Sequence, residues 1–408
     1  MRHRATRILS IFALAVALLC ALAAAALASS GGTAYVTNQG SDTVSQYTID
    51  ATTGALTPKQ PPSVAAPAQP LHLAATPDGR NLYVTTGSGG SVAQYTIDPV
   101  SGALSPKSPF TVAAPAFSQG AISTSDIAVS PNGTSAYVGA ASSDTVATLQ
   151  YSVAASGALS PKNPGWVNGG GNGFLAITPD GKNLYVTDGY DFVIWQFTVD
   201  PTSGKLTPKT PASVSGGAFP TGIAVTPDGR TAYVTNPGDN VVSQYAIDPN
   251  TGALSPKTPA TVATGPGPFA VAVSTDGKSA YVTNSGDASV SQYTIDSTSG
   301  LLSPKTPPTV PAGSAPEGVA ASPDGSSLYV TNNGDSTLSQ YTIGANGQLS
   351  PKQPATVPAG ASPVDVAVVV APVAAGKPTH EAQCKHGGWQ KYKFTNQGRC
   401  IAYVKHRR

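Results

Sequence analysis

One histidine, His72, lies between residues 29 and 371, and its surroundings indicate where chemistry could take place. It precedes an apolar segment, and two other segments of the same pattern carry Asp126 and Asp365 at the corresponding position. A histidine between two carboxylates can ligate a divalent cation, or it can act as an acid and base that activates water. In a purely structural alternative, His72 hydrogen-bonds to one aspartate and the carboxylates accept N–H groups from loops. The sequence alone leaves both interpretations open.

The position of His72 recurs seven times along the chain, and its occupant differs from unit to unit. Starting from the last unit, the occupants are Asp365, His72, Asp126, Phe174, Gly222, Ala270 and Gly318. Glu317 stands one residue before this position, in the unit that precedes Asp365. If the units form a ring, these polar side chains are neighbours. We therefore expect a site in which His72 is the catalytic candidate, with Asp126, Asp365, Glu317 and Phe174 as ligand-binding residues. Asp365, His72 and Asp126 are the candidate metal ligands. The segment "APAFSQGAISTS" before Asp126 would form one wall.

The units that carry these residues are near copies of one another. Aligned on the tyrosine of "YVT", they are 48 residues apart, except for one step of 54 residues. Each unit contains four short segments, such as "GIAVTPDGR", "TAYVTNPGD", "NVVSQYAIDPNTG" and "ALSPKTPATVATG", that are rich in β-branched and aromatic residues. Four strands make one blade of a propeller. The sequence predicts an all-β, seven-bladed β-propeller over residues 29–371.

The turns predict how the ring closes. Asp-Gly or Asn-Gly pairs of the kind that tight hairpins use stand between the first and second segments of six units, beginning at Asp78, Asn132, Asp180, Asp228, Asp276 and Asp324. The chain begins instead with a second strand, from Thr33, and its repeats end with a lone first strand, from Pro363. The two ends should therefore share a blade, which hides two sheet edges.

Two recurring motifs have structural interpretations. The lysine of "SPK" or "TPK" follows a proline on the predicted outermost strand, where both residues would discourage further strand pairing. The motif "TNxGD" and related turns supply aspartates that we expect to brace their own turns rather than to bind cations. These aspartates are Asp42, Asp144, Asp191, Asp239, Asp287 and Asp335.

The repeats resemble two overlapping families. "SPDGSSLYVTNNGDSTLSQYTI" resembles the YVTN-repeat propellers, and "VSQYAIDPNTGALSPK" resembles the seven-bladed lactonase family, which includes 6-phosphogluconolactonase and carboxymuconate-lactonising enzymes. The resemblance covers residues 33–371. It implies a propeller, and in the lactonase family it implies hydrolysis of an acidic lactone.

The chain departs from the site pattern that the lactonase resemblance implies. That pattern places an Arg-His pair before one first strand and a glutamate after the following "YV". Here "APEGVAASPDGSSLYVTNNGD" has Glu317 and Gly318 in place of the pair and Asn333 in place of the glutamate. The only arginines of the propeller are Arg80 and Arg230. Both follow Asp-Gly turns, which we expect on the face opposite the one that carries the family's site. Phosphorylated or polycarboxylate lactones would lack their arginine clamp. Another unit, "PLHLAATPDGRNLYVTTGSGG", matches the histidine of the family pattern with His72, but without the arginine and the glutamate.

The N-terminal segment predicts export. A basic start is followed by an apolar run from Ile8 to about Leu27 and by an A-x-A site at Ala26–Ala28. We expect residues 1–28 to be a signal peptide that is cleaved before Ser29, and an uncleaved membrane anchor is the alternative. The predicted location is therefore outside the cell or at its envelope.

The C-terminal segment differs sharply in charge from the propeller. Residues 29–372 hold 12 Lys and Arg against 20 Asp and Glu, whereas residues 373–408 hold 8 against 1. We expect a linker at 372–383 and a small basic tail at 384–408, closed by a disulfide between Cys384 and Cys400. The tail could bind an anionic polymer of the cell wall, or it could dock on the acidic propeller. Export makes nucleic acid an unexpected partner.

Two functions follow as hypotheses. The first is a monomeric binding scaffold at the cell envelope, whose ligand is a small molecule or an envelope polymer. The second is a lactonase-type hydrolase that uses His72 with a carboxylate or with a divalent cation as its cofactor. The missing Arg-His and Glu set favours binding, and a cation held by His72 and its two aspartates would favour catalysis.

Overall fold

The computed structural model describes residues 30–87, 89–117, 122–171 and 173–370. Within these ranges no helix has the length and hydropathy that a membrane span requires. The predicted signal peptide, the linker and the basic tail with Cys384 and Cys400 lie outside the described residues. Cleavage, the disulfide and the role of the tail therefore stay predictions.

The described residues form strands throughout, with one short 3₁₀ helix at Gln39–Ser41. The first seven strands are β1 (Ser30–Asn38), β2 (Thr43–Asp50), β3 (Leu56–Ala65), β4 (Pro70–Ala75), β5 (Asn81–Thr86), β6 (Ser91–Ile97) and β7 (Leu104–Ala113). The next eight are β8 (Ser123–Val129), β9 (Ser135–Ala141), β10 (Val146–Val153), β11 (Leu159–Asn168), β12 (Leu175–Ile177), β13 (Asn183–Asp188), β14 (Val193–Val199) and β15 (Leu206–Ser215). The following eight are β16 (Ile223–Val225), β17 (Thr231–Asn236), β18 (Val241–Ile247), β19 (Leu254–Ala263), β20 (Pro268–Val273), β21 (Ser279–Asn284), β22 (Ser289–Ile295) and β23 (Leu302–Pro311). The last five are β24 (Pro316–Ala321), β25 (Ser327–Asn332), β26 (Thr337–Ile343), β27 (Leu349–Pro358) and β28 (Pro363–Val369).

These strands form seven antiparallel sheets of four strands each, the blades of a propeller. Blade 1 consists of β28, β1, β2 and β3 in that order, and blades 2 to 7 each take four consecutive strands from β4 onwards. In blade 1, Tyr35 lies opposite Ala367 and Val36 lies opposite Val366. The predicted seven-bladed fold and its closure by the two ends of the repeats are confirmed. The first strand begins at Ser30, three residues before the predicted start.

The hydrophobic core lies between the blades. Second strands are buried along their whole length, as in "TAYVTN" of β17, because each blade is covered on both faces. Apolar side chains of neighbouring blades then share one cluster: Tyr233 and Val242 of blade 5 pack with Val282 and Tyr293 of blade 6. Fourth strands face solvent and are largely exposed. Each blade is therefore stabilised by its two neighbours.

The antiparallel order gives the ring two distinct faces. First strands run from one face to the other and end at the Asp-Gly or Asn-Gly turns; we call the face with these turns the lower face. The turns between third and fourth strands lie on the lower face too. The upper face carries the turns between second and third strands and the loops that enter each first strand.

Three side-chain hydrogen bonds join each blade to the next one. In blade 1, the Tyr35 hydroxyl donates to Gly102 O at 2.6 Å. Leu104 N donates to the side chain of Gln46 at 2.7 Å, and Lys59 Nζ donates to Ser101 O at 2.6 Å. The same three bonds recur from every blade to its successor, and those of blade 7 close the ring on blade 1.

These bonds revise two interpretations of the repeated motifs. The "SPK" and "TPK" lysines do more than discourage further strand pairing at the outer edge. Their ammonium groups donate hydrogen bonds to carbonyl oxygens in a lower turn of the next blade. Some turn aspartates brace more than their own turn: Asp42 accepts the backbone N–H of Gln69 in the loop that enters blade 2. Asp287 fits the prediction better, because it accepts the Ser289 hydroxyl beside it.

Candidate functional site

The three residues singled out by the broken repeat come together at the upper end of three adjacent first strands. They lie inside β-bulges, at the third residue of β4 and β28 and at the fourth residue of β8. In β4, pairing shifts between Pro70 and Leu73, which leaves His72 in the irregular part. Asp365 and Asp126 occupy equivalent irregularities in β28 and β8. A bulge changes the direction of the side chains within it, and here it directs all three toward the central channel of the ring. We call the upper end of this channel the channel mouth.

Two threonine hydroxyls fix the backbone at this point. Asp365 N donates to Thr37 Oγ1 at 3.1 Å, and the Thr37 hydroxyl donates to Leu71 O in the next blade. His72 N donates to Thr85 Oγ1 at 3.1 Å, and the Thr85 hydroxyl donates to Ser125 O. The threonine of "YVT" thus links the three first strands that carry the candidate site.

Each aspartate is held by two backbone N–H groups. Asp365 accepts Val366 N at 2.8 Å and Leu73 N at 3.2 Å. Asp126 accepts Ile127 N at 2.7 Å and Leu175 N at 2.7 Å. In both cases one donor belongs to the same strand and the other to the next blade. The carboxylates therefore receive N–H groups, as in the structural alternative, but from strands rather than from loops.

The structural alternative also requires a hydrogen bond between His72 and one of the aspartates, and this bond is not formed. The Nδ1 atom of His72 lies 3.4 Å from Asp365 Oδ2 and 3.9 Å from Asp126 Oδ1, beyond the usual length of an N–H···O bond. This nitrogen is buried and has no hydrogen-bond partner among the described residues. The ring meets Phe174 edge-on, with 4.7 Å between the ring centroids. His72 is only 8% exposed, so a ligand can reach little of the ring.

Burial and mutual interaction of the charged groups raise the pKa values of His72, Asp126 and Glu317. Burial alone would lower the pKa of His72, but the carboxylates of Asp365, Asp126 and Glu317 outweigh it and raise the pKa. Burial raises the pKa of Asp126 to about 6, although the charge of His72 opposes the shift. Burial also raises the pKa of Glu317 to about 7, against His72 and a hydrogen bond with Asn333. Several groups of one site thus exchange protons close to physiological pH.

The predicted site residues are all neighbours, and the structure adds two that sequence reasoning missed. Phe269 packs edge-on against Phe174, with 5.5 Å between centroids. It precedes Ala270 just as Glu317 precedes Gly318, and this offset was the available signal. Gly318 is the second addition: a Cβ atom there would lie 2.7 Å from Asp365 Cα, so only glycine allows the close approach of the two strands.

The predicted wall formed by the segment before Asp126 is only partly described. Residues 118–121 lie outside the described ranges. Phe117 packs against Trp166 of β11, with 6.0 Å between centroids, and β11 is the outermost strand of blade 3. This end of the segment therefore lies toward the rim, and its role as a wall stays a prediction.

The charged residues of the propeller are divided unequally between its faces. All Lys and Arg of residues 30–370 belong to the lower face, either in its turns or bonded to them: Lys59, Arg80, Lys107, Lys162, Lys182, Lys205, Lys209, Arg230, Lys257, Lys278, Lys305 and Lys352. The carboxylates of the upper face are Asp42, Asp126, Asp144, Asp188, Asp191, Asp239, Asp287, Glu317, Asp335 and Asp365. The remaining aspartates lie in the lower turns beside the cations. Over these residues the upper face is purely acidic, apart from His72.

A family model matches most of the chain. The model of the lactonase family, described as a 7-bladed beta-propeller, matches residues 24–219, 157–268 and 222–368. The chain belongs to the seven-bladed lactonase family. A search of the curated proteins found no match.

Solved structures of similar shape carry several different names. A protein named as a 6-phosphogluconolactonase from Bacteroides fragilis is 22% identical, with a TM-score of 0.69 over 83% of this chain and 98% of that one. A periplasmic gluconolactonase from Pseudomonas aeruginosa is also 22% identical, with a TM-score of 0.69 over 83% of this chain and 99% of that one. Hydrazine synthase from Kuenenia stuttgartiensis is 21% identical, with a TM-score of 0.57 over 77% of this chain and 93% of that one. At this identity the likeness shows the propeller fold alone. Any activity has to be argued from the residues of the site.

Proposed function

We propose that the protein is an exported binding propeller whose upper face holds a cationic ligand and whose basic tail holds it at the cell envelope. The observation that carries this proposal is the segregation of charge: the upper face has ten acidic residues and no Lys or Arg within residues 30–370. A face of one sign attracts ligands of the opposite sign and raises their association rate.

The same charge distribution disfavours acidic lactones. A phosphorylated or carboxylated lactone at the channel mouth would meet Asp126, Asp365 and Glu317 without a compensating arginine. Arg80 and Arg230 follow the Asp78 and Asp228 turns on the lower face, where their backbone N–H groups bond to those aspartates. The anionic substrates implied by the family resemblance are therefore poor candidates for this site.

The end of the described chain supports a tethering role. The last described strand, β28, is a first strand and ends at Val369 on the lower face. The described chain therefore ends on the face opposite the acidic one. A tail bound to an anionic wall polymer would leave the upper face turned outward.

Binding can be tested with a fluorescent lysine-rich peptide and the purified protein at low salt. We expect Asp239→Asn, Asp287→Asn and Asp335→Asn together to weaken binding by about tenfold, because they remove charge from the upper turns of blades 5 to 7. The matched control changes Asp228, Asp276 and Asp324 to Asn, which removes the same charge from the lower turns of the same blades. Equal loss in both triple variants would overturn the proposal, as would absence of binding to the unaltered protein.

Hydrolysis of an uncharged lactone is the second candidate, favoured by the unpartnered His72 Nδ1 and by the raised pKa of Glu317. Water would add to the lactone carbonyl as the neutral form of His72 accepts its proton. The ring C–O bond would then break, and the protonated Glu317 would return a proton to the leaving alkoxide. Turnover of neutral sugar lactones that is lost in His72→Gln would establish this activity and would replace the non-catalytic function. We expect turnover no faster than in buffer.

A further inference from the structure

His72 Nδ1 is one of three buried side-chain atoms of the described residues that form no hydrogen bond; the others belong to Tyr151 and Asn236. A buried polar atom without a partner costs about 1–3 kcal/mol, and native proteins keep few of them. Two carboxylates stand beside this nitrogen, yet neither comes within an ordinary hydrogen-bond length, at 3.4 Å and 3.9 Å. The nitrogen therefore points into a gap between Asp365 and Asp126 that an additional atom could fill.

The three side chains around this gap form a compatible set of metal ligands. One ligand atom each from His72, Asp126 and Asp365 lies within 4.8 Å of the others. Each carboxylate oxygen already accepts one backbone N–H group, and an oxygen with two lone pairs can still donate the second to a metal. Zinc binds imidazole nitrogen and carboxylate oxygen at about 2.0–2.2 Å, so one ion placed between these atoms could contact all three.

The surrounding contacts hold this set in place before any ion arrives. The backbone N–H groups of Val366 and Leu73 orient Asp365, and those of Ile127 and Leu175 orient Asp126. Phe174 packs edge-on against the imidazole. Such contacts around metal ligands fix their orientation and contribute strongly to affinity.

We propose that His72, Asp126 and Asp365 bind one divalent first-row transition cation, such as Zn²⁺ or Mn²⁺, at the channel mouth. Imidazole nitrogen suits zinc and its neighbours, whereas carboxylates accept both zinc and manganese. A doubly charged ion balances the two aspartates, and the purely acidic upper face concentrates cations around the entrance. Three protein ligands leave at least one position for water or for a ligand that enters from above.

This inference goes beyond the proposed binding of a cationic partner and does not depend on it. The metal site is buried between first strands, whereas the partner surface consists of exposed turns. Asp365→Asn should abolish metal binding and leave the lysine-rich peptide bound. The triple change of Asp239, Asp287 and Asp335 should do the reverse.

The test uses the full-length protein, stripped with EDTA and dialysed against Zn²⁺ or Mn²⁺ alone. We expect about one retained ion per chain by elemental analysis, and a rise in the thermal unfolding midpoint when the ion is added. Both effects should be lost in His72→Gln and in Asp365→Asn, with circular dichroism used to confirm that each variant is folded. Asp335→Asn, on the same face, is the matched control and should retain the metal ion as the unaltered protein does.

The tail supplies other possible metal ligands, so a second control is needed. His380, His386 and His406 lie among the basic residues outside the described ranges. Their combined change to Gln should leave the retained ion in place. Retention that depends on these histidines and not on His72, or no retention by the unaltered protein, would overturn the inference. The imidazole would then be the proton-bearing partner of the two aspartates.

Discussion

We expect Glu317, at the channel mouth, to make the free energy of unfolding depend on pH. In the unfolded chain its carboxyl group titrates near pH 4.3, whereas burial raises the pKa of the folded protein's Glu317 to about 7. Between these values the folded state binds more protons than the unfolded state. The free energy of unfolding should therefore fall as the pH rises from 5 to 7. The raised pKa of His72 acts in the same direction.

We predict that Glu317→Gln flattens this pH dependence by up to about 1.4 kcal/mol per pH unit, the contribution of one proton. Urea unfolding in EDTA at several pH values measures the slope. Asp239→Asn, in an exposed turn of the same face, should leave the slope unchanged. A slope as steep in Glu317→Gln as in the unaltered protein would contradict the assignment.

The sequence was a sufficient guide to which residues form the mouth, because a repeat reveals the positions where its copies differ. His72, Asp126 and Asp365 were found in this way, and the structure brings them together. The gap around Nδ1 could not be predicted, because it depends on the bulges that set the direction of each side chain. The contact between Phe174 and Phe269 was missed because Phe269 stands one residue away from the compared position.

Among the structural elements, the fourth strands have a role that their exposure conceals. Lys305 lies on β23 and is only 9% exposed. Its Nζ donates to Asn346 O at 2.7 Å and to the Thr294 hydroxyl at 3.1 Å. The lysine therefore joins blade 6 to blade 7 at the lower face.

We predict that Lys305→Met lowers the free energy of unfolding by about 1.5–3 kcal/mol, since it removes charged hydrogen bonds and keeps the apolar stem. Lys278→Met is the matched control in the same blade, because its side chain is 77% exposed and only 4.0 Å from its nearest carboxylate partner. This control should change stability by less than about 0.5 kcal/mol. Chemical denaturation of both variants gives the comparison, and equal effects would argue against the inter-blade bond.

Sequence reasoning predicted the four strands of each blade well, because turn residues and alternating apolar positions are local signals. The first strands Leu175–Ile177 and Ile223–Val225 are shorter than their counterparts, which the repeats did not indicate. The lysine contacts were also missed. Six of them join residues 41 to 49 positions apart and the seventh, from Lys352 to Thr53, spans 299. Only the packing of neighbouring blades brings these residues together.

For the whole molecule, the composite blade predicts an asymmetric response to truncation. A chain that ends at residue 370 keeps β28 and should unfold within a few degrees of the full-length protein. A chain that ends at residue 362 loses β28 and exposes an edge of β1, so we expect a much lower unfolding midpoint and association of chains. Thermal unfolding and size-exclusion chromatography distinguish the two, and similar behaviour of both would contradict closure by β28.

The number of blades and the closure of the ring could be predicted because they follow from counting repeats and from the missing first strand. The unequal charge of the two faces was less evident. The sequence shows that residues 29–372 are acidic, but only the assignment of each turn to a face shows that Lys and Arg are confined to one of them. That division depends on strand direction, which is a property of the assembled ring.

The shared blade also sets the order of events as the chain is made. The inner strand of blade 1 is among the last parts of the propeller to be synthesised, and the bond from Tyr329 to Gly54 spans 275 residues. Blade 1 therefore cannot be completed until synthesis has passed residue 369, whatever the state of the earlier blades. Until then β1 has no partner on its inner side, so the newly made propeller carries an unpaired strand edge that the last few residues of the repeats must cover.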